Sequence, residues 1–179
     1  MSFHPLTVLL RTSAGAWAAI LGISAVIIVL AVVVGVKQRN KLMGEGKIVN
    51  RPHNFYDMAE IFTLGPVTLQ AISNALASSD FSGMGVQMQP DPQNQQIIFR
   101  QNTWTGLLKY MGMTGDPSMG GKTVYRLWIT SYRTYRSSVQ GALEMNMLMT
   151  EIEKVLLCFD PGTQVSTEMV IRKTKTKFF

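Results

Sequence analysis

The chain has 179 residues, a formal charge of +6 and a pI near 9.6. That length holds one domain and something besides. One cysteine and two histidines exclude an intrachain disulfide and leave a clustered Cys/His zinc site without ligands, so no metal or cofactor is expected.

Residues 1–14 read as a short external arm, and residues 15–36 as a transmembrane helix. No residue from Thr12 to Val36 is charged. A bilayer core of about 30 Å needs roughly 20 helical residues, and a helix satisfies its own backbone in lipid. The apolar run exceeds the roughly 7–15 residues of a secretory signal, and "VVVGVKQ" is a poor cleavage site. An uncleaved signal-anchor follows. Lys37, Arg39, Lys41, Lys47 and Arg51 come after the span, and only Arg11 and the amino terminus precede it. Positive charge stays inside, which predicts an external N-terminus and a cytoplasmic C-terminal domain. The same cluster attracts anionic lipid, so basicity by itself does not indicate nucleic acid. Ala14, Ala18 and Gly22 recur at four-residue spacing, as do Ala31 and Gly35. Such ridges let helices approach closely, which suggests a homo-oligomer.

Residues 37–54 carry Gly44, Gly46 and Pro52 without hydrophobic periodicity and read as a basic linker. Residues 55–179 form the soluble domain, long enough for its own core. Met58 to Leu64 reads as a strand. Leu69, Ile72 and Leu76 repeat at helical spacing after Gly65-Pro66. Val86 to Pro90 alternates, and "PDPQNQ" is a turn. A long strand is expected from Ile97 to Met111, then a glycine-rich loop from Gly112 to Lys122. Thr123 to Tyr135 alternates, with Tyr125, Leu127 and Ile129 on one face and Arg126, Trp128, Thr130, Tyr132 and Thr134 on the other. Met145, Leu148, Met149, Ile152, Val155, Leu156 and Phe159 form one helical stripe, stopped by Asp160-Pro161-Gly162. A last strand, Val165 to Lys177, carries Lys173, Lys175 and Lys177 on one face, as protected sheet edges do. The reading is an α+β fold of order β-α-β-β-β-α-β, with a mainly antiparallel sheet and two helices on one face.

Gly115 to Thr123, "GDPSMGGKT", is one residue away from a nucleotide-binding loop, and "VLLCFD" (Val155 to Asp160) resembles a Walker B strand. A P-loop needs strand, loop, then helix, with lysine and threonine opening the helix. Here Thr123 enters a strand, and Val155, Leu156 and Phe159 belong to a helix, so both segments carry the wrong secondary structure for an ATPase. Cys158 has no histidine base in the domain and reads as a packed thiol. Glu151 and Glu153 point apart on their helix. "YRLWITSYRTYR" concentrates arginine and aromatic residues. Such a face can dock a protein partner or stack bases. The expected function is a membrane-tethered, non-catalytic binding or regulatory domain for a protein or small ligand, acting through Arg126, Trp128, Tyr132 and Arg133. A tethered enzyme using Cys158 and the Gly112–Lys122 loop is the alternative, and a nucleic-acid-binding module the third reading.

Overall fold

The computed structural model describes residues 5–79, 81, 84–115 and 120–170. The chain divides into two compact units, Met1–Gly46 and Lys47–Phe179.

The first unit is one helix, α1, over Pro5–Gly44. It contains a candidate membrane span, Ala19–Gly44, in which an 18-residue window has a mean hydropathy of 3.0 and nothing buried. Ile27, Ile28 and Val29 are each about 60% exposed, an apolar surface too continuous for water to cover cheaply. The helix outruns residues 15–36 at both ends. Proline suits its first turn, and Gly46, at φ 66°, turns the chain out of it. Lys37, Arg39 and Lys41 therefore lie within the helix, and Lys41, in its last turn, favours the helix dipole. The basic linker expected over 37–54 is correspondingly shorter. The side chains of Ala14 and Ala18 lie outside the described residues.

The second unit begins before residue 55. Ile48 and Arg51 are buried in it. The Arg51 guanidinium donates to both Glu60 carboxylate oxygens (2.7 and 3.3 Å), to Asn146 Oδ1 (2.7 Å), Thr150 Oγ1 (2.8 Å) and Glu153 Oε2 (2.9 Å). Asn146 Nδ2 donates back to the Val49 carbonyl, and Val49 N–H to Thr150 Oγ1. Polar groups taken from water must be paired, and here the pairing fastens residues 49–51 to the domain.

A 3-10 turn, Phe55–Asp57, leads into β1 (Met58–Leu64). Helix α2 (Leu69–Ala77) follows, its first turn capped by Thr68 Oγ1 accepting from Ala71 N–H. Then come β2 (Gln87–Asp91), β3 (Gln96–Gln101), β4 (Trp104–Thr114) and β5 (Lys122–Tyr132). A small hairpin pairs β6 (Thr134–Tyr135) with β7 (Ser138–Val139). Helix α3 (Ala142–Phe159) and β8 (Gln164–Met169) complete the described chain. The main sheet runs β2-β3-β4-β5-β1-β8 with every neighbour antiparallel. The fold is α+β, and one of the sequence's strand expectations needs correction.

The long strand expected over Ile97–Met111 is two strands. Ile97 and Phe99 point inward, and so do Trp104 and Leu108. Side chains alternate with period two, so a switch from odd to even inward positions requires a turn. It occurs at Asn102-Thr103, where the Gln101 amide oxygen accepts from Thr103 N–H and Oγ1–H. The last strand is described only to Met169. It forms one sheet edge with all six residues exposed, and Lys173, Lys175 and Lys177 lie outside the described residues.

Both α2 and α3 cover one face. Phe62, Leu64, Ile97, Phe99, Trp104, Leu108, Tyr125, Leu127 and Ile129 meet Ile72, Leu76, Met145, Leu148, Ile152 and Leu156 in one core. The apolar stripe of α3 fades at its end, where Phe159 is 41% exposed.

Candidate functional site

Arg126 and Trp128 share the open face of the sheet. The Arg126 carbon Cζ lies 4.8 Å from the Trp128 ring centroid, and its guanidinium pairs with Glu168 at 2.7 Å. Strand register lines up Ile98, Leu107, Trp128 and Ala59 as an apolar row across four strands.

Tyr132 does not join that face. Ile129 opposes Gly106 while Ser131 opposes Thr105, so Thr130 is an extra residue in β5. A bulge of this kind interrupts the alternation. Tyr132 therefore opposes the buried Trp104 and packs against the core side. Its hydroxyl donates to Asp57 Oδ1 at 2.8 Å, and its ring meets Tyr56 edge-on at 5.2 Å. Arg133 lies past the strand end with an exposed side chain, and its N–H donates to the Thr103 carbonyl. The four residues singled out by sequence thus divide between two surfaces. Nothing in "ITSY" marks the bulge.

A groove that sequence reasoning missed lies on the helix side of the sheet. It depends on a second bulge. Tyr110 opposes Tyr125 and Gly112 opposes Val124, leaving Met111 unpaired. Gly112 sits at φ 123°, which only glycine adopts readily. The shift sets Met113 opposite Thr123, at the mouth of a cleft of about 420 Å³. Its floor is Tyr110 and Tyr125, with ring centroids 5.6 Å apart. One wall is the Pro66–Gln70 stretch that opens α2, and the other is the β2–β3 turn with Pro90, Pro92, Gln95 and Gln96.

The polar groups around this groove are largely committed elsewhere. Tyr125 donates its hydroxyl to the Val67 carbonyl at 2.6 Å. Burial, with Tyr110 close by, pushes its pKa up to about 12. Asp91 accepts from Asn94 Nδ2 and Gln96 Nε2, each at 2.8 Å. Those bonds hold its carboxyl below the usual aspartate range. The result is an apolar floor with a rim of amides and one carboxylate, Asp91, that is already held by two amide donors, an arrangement suited to a neutral ligand with an apolar body.

The P-loop and Walker B resemblances meet in space and are both fastened to backbone. Lys122 and Thr123 open β5, and Thr123 Oγ1 donates to the Gly65 carbonyl at 2.9 Å. "VLLC" and Phe159 are helical, and Asp160 caps α3. The Asp160 carboxylate accepts from Gly65 N–H and Gly162 N–H, each at 2.8 Å. Those two bonds, with Lys122 nearby, keep its pKa below the ordinary value. Residues 116–119 of the loop lie outside the described residues. Cys158 is exposed near the end of α3. Among the described residues no group of three His, Cys, Asp or Glu side chains could hold a metal.

Comparison of the chain with protein-family models, curated proteins and solved structures returned no match.

Proposed function

We propose that the chain is a single-pass membrane-anchored binding module whose domain takes a neutral, largely apolar small molecule or side chain in the Tyr110–Tyr125 groove. The observation that carries this reading is the groove itself. It is of ligand size, and its floor is aromatic while the neighbouring polar groups already have partners. Basic residues on the last turns of α1, against one before the span, support a cytoplasmic domain and an external N-terminus. Tethering then raises the concentration of the site at the membrane without new contacts. Close approach through Ala14, Ala18 and Gly22 is proposed as the route to a homo-oligomer.

Methionine methyl labelling of the full chain in nanodiscs tests the groove. Met113 lies at its mouth, and Met111 is displaced by the bulge and outside the lining. Indole, a neutral aromatic probe, should move the Met113 methyl resonance and leave Met111 in place. Gln70→Trp, at an exposed lining position, should weaken that response. Equal movement of both methyls, or none, would sink the groove reading.

A further inference from the structure

The β6–β7 hairpin has features that the groove does not use. Its two central residues, Arg136 and Ser137, sit at φ 47° and 65°, positions where two-residue turns favour Asn and Gly. Residues other than glycine adopt such angles uncommonly. Arg133, Tyr135 and Arg136 are all exposed, Tyr135 by 62%. The Arg136 carbon Cζ lies 5.3 Å from the Tyr135 ring centroid. No acidic residue occurs between Gly120 and Leu143. Among the described residues, no ion pair involves Arg133 or Arg136.

The hairpin is rooted beside the 3-10 turn Phe55–Asp57. Tyr132, which leads into it, packs on Tyr56 and bonds Asp57. Only Glu45 and Gly46 separate Gly44, the last residue of α1, from Lys47, the first of the second unit. A tether that short holds the domain's surface at high effective concentration near the bilayer.

We infer that the hairpin, through Tyr135 and Arg136 at its end and Arg133 at its base, docks on the anionic headgroups of the bilayer in which α1 is anchored. Tyrosine carries an apolar body and a polar tip suited to the headgroup level. Guanidinium groups pair bidentately with phosphate. The turn holds Tyr135 and Arg136 at the hairpin end, and Arg133 lies at its base, where its carbonyl accepts from Gln140 N–H. The inference rests on the membrane-anchor part of the proposed function and is independent of the groove.

The test uses the full chain with Cys158→Ala and Ser138→Cys, labelled at residue 138 with an environment-sensitive dye. The protein is placed in nanodiscs of phosphatidylcholine alone or of phosphatidylcholine with phosphatidylserine. Quenching by a headgroup-depth spin label should be stronger in the anionic discs and should fade as salt is raised. Arg133→Gln and Arg136→Gln should each lower the docked fraction roughly five- to tenfold at low salt. Tyr135→Ala should weaken docking in both salt conditions. Equal quenching in neutral and anionic discs, or charge variants that behave as the parent, would overturn the inference. So would a dye response to polyuridylate in place of phosphatidylserine, which would assign the tip to nucleic acid. Failure of the protein to remain in the membrane on carbonate extraction would instead remove the anchor on which the inference rests.

Discussion

Replacing Arg51 by methionine isolates the clamp that joins residues 49–51 to α3. The guanidinium side chain is 5% exposed and its partner Glu60 is 10% exposed. Methionine keeps much of the length and removes every donor. It leaves the Glu60 carboxylate buried without a counter-charge, beside Glu153, and strips donors from Asn146 and Thr150. Breaking a buried pair from one side costs about 3–5 kcal/mol. Burial already places the Glu60 pKa above the ordinary glutamate value, despite the opposing effect of Arg51. A carboxyl whose folded pKa is raised contributes most below its unfolded pKa, and that contribution is lost as pH rises through the folded value. The cost of Arg51→Met should therefore shrink as the solution is acidified and Glu60 takes up a proton. Urea unfolding of the detergent-solubilised chain, followed by tryptophan fluorescence, measures both effects. Adding Glu60→Leu should restore much of the loss, because a buried apolar pair replaces a stranded charge. A loss below about 1 kcal/mol, the scale of a surface ion pair, would show that the guanidinium is solvated. A double variant no more stable than the single one would equally refute the reasoning.

Two more perturbations probe the ends of α3. A Cβ at Gly141 would lie 2.7 and 2.8 Å from Trp104 ring atoms and 2.9 Å from Thr103 Oγ1, at φ 75°. Gly141→Ala should destabilise the domain by about 2–5 kcal/mol in the same urea assay, combining left-handed strain with overpacking, and a near-neutral result would contradict this close approach. At the other end, the folded pKa of Asp160 is depressed, so its contribution is present above the ordinary value of 3.8 and lost as pH falls through the folded value. The melting temperature of the parent should thus fall more steeply in acid than that of Asp160→Asn. Parallel acid limbs would show that the Gly65 and Gly162 bonds do not depend on the charge.

The groove escaped sequence reasoning because its walls are far apart in the chain and its mouth depends on a bulge. Tyr110 and Tyr125 lie on different strands, and α2 begins more than forty residues before either of them, between Pro66 and Gln70. Met111 and Thr130 are inserted residues, and an insertion leaves no mark in an alternating pattern until partner strands are known. The expected linker misled for a related reason. Residues 47–54 have no periodicity, yet Ile48 and Arg51 bury themselves individually against α3 and β1.

Sequence alone determined what local chemistry controls. The charge-free run specified a helix long and apolar enough to cross a membrane, because hydrogen-bond satisfaction and length in lipid depend on one helix only. The stripe of α3 and the alternation of β5 were periodic, so they also showed that "GDPSMGGKT" opens a strand and "VLLCFD" ends a helix. Tertiary structure decided register. It separated β3 from β4, turned Tyr132 away from Trp128, and closed a cleft over two tyrosines. Each of these depends on which residue faces which across a sheet, and a shift of one residue moves a side chain to the other face.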